Sequence, residues 1–227
     1  MIIGVTGGYA AGKDTVADIL VKKGFFHISF SDILREELKA RKKRPTRDNL
    51  IIIGNELRTN QGPSVLARRS LSKIKEGENY VFSSIRNPSE VKLLMERNNF
   101  IMVNITTPVK ERFNRIVKRN REGDPQSLKE LIEKEKLENT SNPNSQQLNK
   151  VAKMAKITLA NDSTIEKLEL KTSKILEDWI FKLQEPRPDW DNYFMNIAEQ
   201  VKLRATCMSP KKGSIIVKDK MIVSTGY

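Results

Sequence analysis

The chain has almost none of the residues that build disulfide frameworks or zinc sites. Its 227 residues include one cysteine, Cys207, and one histidine, His27. A disulfide framework is therefore excluded, and a Cys/His zinc site lacks the necessary ligands within this chain. Any metal is expected to be a hard ion held by oxygen atoms.

Long hydrophobic runs and secretion signals are also missing. No apolar stretch approaches the roughly 18 to 20 residues that span a bilayer. The N-terminal MIIGVTGG leads directly into a strand-like pattern, without the basic and apolar regions of a signal peptide. These features predict a cytoplasmic protein with no membrane partner.

Acidic residues are in the minority. Lys and Arg number 41 and Asp and Glu number 28, which gives a formal net charge of +13. Such an excess favours polyanionic partners, namely nucleotides, phosphorylated metabolites or nucleic acid. Nucleic acid is disfavoured, because the basic run at 41–44 is accompanied by neither a recognised binding motif nor a base-stacking aromatic pattern.

Apolar runs of strand length alternate with helical patterns over most of the chain. Alternation of this kind predicts an α/β fold with a parallel sheet of the P-loop type and helices on both faces. The runs are residues 1–6, 25–30, 79–83, 100–105 and 157–159. A later helical stripe that includes Ile165, Leu168 and Thr172 is predicted to face the core.

A glycine-rich loop follows the first apolar run and opens a helical pattern. It reads Gly7-Gly8-Tyr9-Ala10-Ala11-Gly12-Lys13-Asp14-Thr15, and it fits the P-loop pattern of Gly, four residues, Gly and Lys. The glycines let backbone N–H groups curl around a phosphate, and Lys13 adds a full positive charge. The loop therefore predicts ATP binding by all nine residues.

The magnesium position of this loop is unusual. Asp14 stands where the motif usually has Ser or Thr. A carboxylate can hold Mg²⁺ directly or through water, and Thr15 remains as a hydroxyl contact. Asp14 and Thr15 are the predicted metal ligands.

Several further motifs follow the loop in order. They are residues 29–37, 44–50, 54–58 and 62–63. With the GKDT loop, they resemble an archaeal family of nucleotide-kinase-like proteins related to dephospho-CoA kinase and adenylate kinase, over roughly residues 1–183. The GKDT variant is also similar to the P-loops of deoxynucleoside monophosphate kinases. The resemblance implies a nucleotide kinase that uses ATP and Mg²⁺ on nucleotide substrates.

Phosphoryl transfer needs a carboxylate near the acceptor and arginines that neutralise charge. Asp32, just past the second apolar run, is the candidate carboxylate. An equally good interpretation is that its negative charge only stabilises the N-terminus of a helix. Arg58 and Arg86 are candidate clamps on the acceptor phosphate. A surface salt bridge is the alternative for each.

Positive charge is concentrated at 110–121. In kinases that resemble this chain, arginines in that region form a lid over the phosphates. Arg115, Arg119 and Arg121 are the predicted lid residues, and a solvated basic helix face is the alternative. Where the archaeal relatives carry Asp-Gly, this chain has Ser83-Ser84. The sequence therefore predicts nucleotide binding more firmly than it predicts phosphoryl transfer.

A proline-rich linker at 185–189 is predicted to separate a kinase-like domain, residues 1–184, from a second segment, residues 190–227. The second segment predicts a helix at 190–205 and a hairpin with strands at 213–218 and 221–225. It resembles the beginning of a deoxycytidylate (dCMP) deaminase, which implies an incomplete cytidine-deaminase-like α/β segment and a role in deoxypyrimidine nucleotide metabolism.

The deaminase zinc motifs, H-x-E and P-C-x-x-C, do not occur in this chain. Zinc and deaminase activity are therefore expected only where the rest of such a domain is present. Homo-oligomerisation through this segment is a separate expectation. A degenerate nucleotide-binding domain that regulates or scaffolds the deaminase remains the alternative function.

Overall fold

A computed structural model describes residues 1–120, 124–183, 188–206 and 210–227 of the chain. The described residues divide into two units, Met1–Leu176 and Glu177–Tyr227. Most of the predicted linker lies outside the described residues, so the predicted domain boundaries stay a prediction. No helix in the described ranges is both long and apolar enough to cross a membrane.

Five parallel strands make the sheet of the first unit, in the order β2-β3-β1-β4-β5. They are β1 (Ile2–Gly7), β2 (Phe26–Ser29), β3 (Tyr80–Ser83), β4 (Phe100–Thr106) and β5 (Ile157–Ala160). Each coincides closely with the apolar run that predicted it. The predicted α/β fold with a parallel sheet is confirmed.

Helices connect these strands, as parallel pairing requires. They are α1 (Lys13–Lys22), α2 (Phe30–Ala40), α3 (Arg47–Gln61), α4 (Val65–Leu71), α5 (Pro88–Met95), α6 (Val109–Arg119), α7 (Leu128–Leu137), α8 (Leu148–Met154) and α9 (Ile165–Leu183). The last of them, α9, continues past the end of the first unit.

The sheet is buried on both faces. Successive residues of a strand point to opposite faces. Ile2 clusters with Phe30 of α2 and Leu57 of α3, while its neighbour Ile3 is just as buried on the other side. Burying each such side chain contributes about 1.5–3 kcal/mol. This two-sided core fixes the carboxyl ends of the strands, where the loops of the candidate site begin.

The second unit contains α10 (Trp190–Val201) and an antiparallel hairpin of β6 (Ser214–Lys218) and β7 (Met221–Gly226). The helix ends earlier than predicted, because its last turn is a 3-10 turn at Lys202–Arg204. The rings at positions 190, 193 and 194 contact one another with centres 5.3–5.9 Å apart. No described side chain of α10 is fully buried, so this unit has little core of its own.

Candidate functional site

The glycine-rich loop joins β1 to α1 at the carboxyl edge of the sheet. Ala10 and Gly12 have left-handed backbones, with φ of 55° and 95°, a conformation found in anion-binding loops. Within the loop, the Tyr9 N–H donates to Glu135 and the Ala11 N–H donates to the Gly8 carbonyl oxygen. A Cβ at Gly12 would lie 2.1 Å from the Asn161 amide nitrogen, and one at Gly7 would lie 2.4 Å from the Ile105 carbonyl oxygen. Glycine is therefore required at both positions. Helix α1 begins without a side-chain cap, so an anion can take its first N–H groups.

The Lys13 ammonium lies against this loop. Its Nζ donates to the carbonyl oxygens of Gly7 at 3.0 Å and Gly8 at 2.7 Å. Burial, reinforced by the nearby Arg86 charge, lowers the pKa of Lys13 to about 8, and Asp14 opposes that shift. Part of the Lys13 side chain still meets solvent, but its charged end is enclosed by protein. An anionic ligand would stabilise such a charge.

A cleft of about 830 Å³ opens beside Lys13, Asp14 and Thr15. Because β2 and β5 form opposite edges of the sheet, residues in or after β2 and its neighbour β3 line one end of this cleft, here called the β2 end. Residues after β5 line the other, here called the β5 end. The β5 end consists of Asn161, Ser163, Ile165 and Leu168. The β2 end consists of His27, Ser29, Ser31, Asp32, Arg35, Ser84 and Arg86. The predicted nucleotide-binding loop, Asp32 and Arg86 therefore share one cavity.

Two of the three predicted lid arginines line the same cleft. Arg115 Nη2 donates to the Asn161 carbonyl oxygen at 2.9 Å. Arg119 donates to both carboxylate oxygens of Asp124, at 2.7 and 2.8 Å. Arg121 lies outside the described residues. Arg115 and Arg119 both come from α6, so this helix brings two guanidinium groups to the phosphate loop.

Tyr9 connects the loop to these arginines. Its hydroxyl donates to Asp124 Oδ1 at 2.6 Å, and the guanidinium carbons of Arg47 and Arg119 lie 4.2 and 4.9 Å from its ring centre. Burial, followed by the hydrogen bond to Asp124, raises the pKa of Tyr9. Cation–π contact of this kind fixes guanidinium positions. Tyr9 thus holds Arg119 beside the loop.

Arg112 and Glu135 hold the loop from α6 and α7. Arg112 Nη1 donates to the Tyr9 carbonyl oxygen at 3.1 Å, and the Tyr9 N–H donates to Glu135 Oε1 at 3.1 Å. Arg112 and Glu135 also form a two-pronged ion pair with each other. Sequence reasoning missed both residues, because they join the loop from 103 and 126 positions away along the chain.

Arg86 reaches the cleft with part of its guanidinium already paired. It donates to Glu138 Oε1 at 3.1 Å and to Gln146 Oε1 at 2.8 Å. Burial alone would raise the pKa of Glu138, but Arg86 and Arg47 hold it below its ordinary value. Glu138 is therefore an anion that positions two arginines, and sequence reasoning did not single it out.

Arg58, the other predicted clamp, is not brought into the cleft. Its residue is 2% exposed, and its Nε donates at 2.9 Å to Glu90, which is 0% exposed. This buried ion pair joins α3 to α5. Glu90, rather than an acceptor phosphate, is the partner of Arg58 in this structure.

The β2 end contains two linked polar pairs. His27 Nε2 and Ser83 Oγ are hydrogen-bonded at 2.8 Å, and Ser29 Oγ donates to Ser84 Oγ at 3.1 Å. Ser84 has a φ of 62°, a conformation that a residue with a side chain keeps only when its surroundings enforce it. Of the two serines that replace the Asp-Gly pair of the resembled family, Ser84 lines the cleft, whereas Ser83 is buried and contacts the lining residue His27.

The β5 end differs from the sequence prediction at one residue. Ile165 is 62% exposed and lines the cleft, whereas Leu168 and Thr172 of the same stripe are buried as predicted. Asn161, which was missed, donates from Nδ2 to the Ala11 carbonyl oxygen at 2.9 Å. Its position directly after an apolar strand was a usable signal, because ligands of open α/β sheets bind at the carboxyl ends of strands.

The Mg²⁺ that a P-loop site implies finds suitable oxygen donors here. Mg²⁺ keeps several waters and takes one or two carboxylates together with substrate phosphates. Asp14 and Thr15 line the cleft next to Lys13 and offer such donors. Across the described ranges, no group of three or more His, Cys, Asp or Glu residues is placed to hold a metal. The donor set fits Mg²⁺ shared with phosphates and does not fit zinc.

Comparisons with known proteins agree with this geometry. A family profile described as an AAA domain matches residues 3–140. A UPF0200 protein of Sulfurisphaera tokodaii is 30% identical over 178 residues, which cover 78% of this chain and 96% of that protein. One from Thermococcus kodakarensis is 29% identical over 190 residues, or 81% of this chain and all of the relative. About a fifth of this chain thus has no counterpart in either relative.

Solved structures share the fold at low sequence identity. A crystal structure of a Thermus thermophilus protein superposes with a TM-score of 0.54 at 20% identity, covering 78% of this chain and 97% of that one. Shikimate kinase from Bacteroides thetaiotaomicron superposes with a TM-score of 0.50 at 18% identity, covering 78% and 98%. The predicted resemblance to P-loop kinase-like proteins is confirmed, and the deaminase-like interpretation of residues 190–227 stays a prediction. The chain belongs to the UPF0200 family and contains an AAA domain with a P-loop kinase-like fold.

Proposed function

We propose that this protein is an ATP-dependent phosphotransferase. The observation that carries the proposal is the Lys13 ammonium, which is enclosed against the carbonyl oxygens of Gly7 and Gly8 at the start of α1 and lies close to Arg86. A triphosphate supplies the negative charge that this arrangement lacks. The kinase-like fold of the AAA domain supports the same conclusion.

Each part of the cleft has a role in this reaction. The loop N–H groups and Lys13 bind the β- and γ-phosphates, and Arg115 and Arg119 neutralise charge that develops on the transferring phosphoryl group. Asp14 and Thr15 would hold Mg²⁺, whose charge offsets that of the phosphate oxygens. The β5 end accepts the adenine, and the β2 end accepts the second substrate. The resemblance predicts a nucleoside monophosphate as that substrate.

Calorimetric titration with ATP and Mg²⁺ tests the nucleotide site. Lys13→Ala should abolish measurable binding, because the loop then loses its full positive charge. Lys22→Ala, in the last turn of the same helix and away from the cleft, serves as the matched control and should bind as the wild type does. Equal ATP affinity in Lys13→Ala and the wild type would contradict the assignment.

A second candidate function is nucleotide binding without turnover, in a domain that regulates or scaffolds a deaminase. The observation that favours it is Ser83, a buried hydroxyl hydrogen-bonded to His27, which stands where the resembled family supplies a carboxylate. A hydroxyl is a weaker Mg²⁺ ligand than a carboxylate. Intact ATP binding, combined with no ADP formation from any acceptor, would select this candidate.

The second unit has a proposed function of its own. We infer that residues 190–227 correspond to the N-terminal part of a dCMP deaminase-like domain. Helix α10 followed by the β6–β7 hairpin agrees with the order that this resemblance implies. Zinc does not fit this chain, since no histidine follows position 187 and Cys207 is its one cysteine. Any deaminase chemistry therefore requires ligands that this sequence does not supply.

A further inference from the structure

The two ends of the cleft suit different kinds of molecule. The β5 end contains the exposed aliphatic side chain of Ile165, together with Leu168 and Asn161, which are 2% and 6% exposed, so it offers a nucleobase an apolar contact. The β2 end has no aliphatic side chain in its described lining, which consists of three serines, His27, Asp32 and two arginines. The cleft therefore has room for one base at an apolar end and a polar molecule at the other.

The β2 end has little aromatic surface, just as it has no aliphatic side chain in its described lining. Tyr9 is the one Phe, Tyr or Trp ring in the described lining of the cleft, and two guanidinium groups already lie against it, 4.2 and 4.9 Å from its centre. The His27 imidazole is held by its hydrogen bond to Ser83. Bases gain about 1–3 kcal/mol each from stacking on an open aromatic face. A second nucleobase would find no such open face.

Asp32 distinguishes an alcohol acceptor from a phosphate acceptor. It lies in the first turn of α2, is 57% exposed and is held by Arg35 one turn later. A carboxylate can accept the proton of an attacking hydroxyl, whereas an acceptor phosphate, with a second pKa near 6, is ionised at neutral pH and has no proton to give. Its place in the cleft therefore favours an alcohol as the acceptor.

We infer that the acceptor is a small hydroxylated molecule that carries one anionic group and no nucleobase, in place of the nucleoside monophosphate that the resemblance predicts. This inference rests on the proposed phosphotransferase function. The acceptor oxygen bonds to the γ-phosphorus while the bond from that phosphorus to the bridging oxygen breaks. Asp32 takes the hydroxyl proton, and ADP leaves with the electron pair. Arg35 and Arg86 bind the anionic group, since planar guanidinium groups match carboxylates and phosphates. The cleft serines bind the remaining hydroxyls.

Two substrate panels, used with saturating ATP and Mg²⁺, test this acceptor class. The first contains hydroxylated anions without a base, such as glycerate, gluconate, ribose 5-phosphate and glycerol 3-phosphate. The second contains AMP, CMP, dCMP, UMP and dTMP. ADP formation is followed continuously, and the phosphorylated product is identified by mass spectrometry. At least one member of the first panel should exceed every nucleoside monophosphate in kcat/KM by about tenfold or more.

The Asp32→Asn variant tests the proton-accepting role. With the best alcohol acceptor, kcat should fall by about a hundredfold or more, the usual range for a general base, while ATP affinity stays unchanged. Glu36→Gln is the matched control. Glu36 is in the same helix, is exposed and pairs with Lys73 outside the cleft. Unchanged kcat in Asp32→Asn would overturn the role of this carboxylate.

The outcomes separate this inference from the proposed function. A nucleoside monophosphate with the higher kcat/KM overturns the acceptor class but leaves the phosphotransferase proposal intact. ATP binding without ADP formation in either panel contradicts phosphotransfer itself, and the acceptor class with it. Absence of ATP binding contradicts the nucleotide site. Turnover confined to the first panel supports both proposals.

Discussion

Protonation of Lys13 should be coupled to nucleotide binding. In the free protein the pKa of this lysine is lowered from 10.5 to about 8, which corresponds to a cost of about 3 kcal/mol for keeping the charged form in the folded state at neutral pH. A bound phosphate adds a negative charge next to the ammonium and raises that pKa again. The nucleotide therefore binds together with a proton wherever free Lys13 is partly neutral.

The expected size of this coupling follows from the two pKa values. If binding returns the pKa of Lys13 to near 10.5, proton uptake per nucleotide is about 0.1 at pH 7, about 0.5 at pH 8 and about 0.9 at pH 9. Affinity then falls by about tenfold from pH 7 to pH 9. Phosphate groups, with a second pKa near 6, do not titrate in this window. Calorimetric titration in buffers of different ionisation enthalpy measures the uptake directly.

The same shift predicts how the stability of the free protein depends on pH. Between about pH 8 and 10.5 the unfolded chain binds more protons at Lys13 than the folded protein does, so the contribution of this group to stability rises as pH increases.

Lys22→Ala should leave both the proton uptake on nucleotide binding and its pH dependence unchanged. A flat affinity between pH 7 and 9, with uptake near zero throughout, would refute the reasoning.

Three other results are expected from single changes or simple treatments. Arg58→Ala should lower the free energy of unfolding by about 3–5 kcal/mol, because it leaves the buried Glu90 carboxylate unpaired. Chemical denaturation measures this loss. Calorimetry should find that the folded fraction keeps its affinity for the nucleotide. Gly12→Ala should abolish ATP binding in calorimetry, because its Cβ collides with the Asn161 amide. Limited proteolysis should cut the chain first near 185–189 and then digest residues 190–227 before the sheet, as an exposed hairpin edge implies; equal protection of both units in a monomer would contradict the deaminase-like proposal.

Local sequence patterns were sufficient for the sheet and the phosphate loop. Each strand is a short apolar run bounded by turn residues, and the loop motif combines glycine positions with the strand before it and the helix after it. Asp32 and Arg86 were also predictable, since each follows the end of a strand and such ends meet at one edge of a parallel sheet. These inferences depend on residues close together in sequence or on a general rule of topology.

The rest of the site depends on contacts between distant segments. Arg58 and Arg86 looked alike in the sequence, but Glu90 lies next to the first in the core, while the second ends at the cleft. Helical periodicity placed Ile165 in the core, but this first residue of α9 is 62% exposed. No pattern within either segment distinguishes these outcomes, because burial is decided by which elements pack together.

The pairing of charges explains why Lys13 dominates the proposed nucleotide site. The four guanidinium groups in the described lining of the cleft have carboxylate partners, namely Asp32 for Arg35, Glu138 for Arg86, Glu111 for Arg115 and Asp124 for Arg119. Lys13 instead donates to backbone carbonyl oxygens. A phosphate that approaches an arginine competes with an existing ion pair, whereas one that approaches Lys13 displaces neutral acceptors and relieves an enclosed charge. The net gain in electrostatic free energy is therefore concentrated at Lys13, and the arginines contribute most when charge accumulates during transfer.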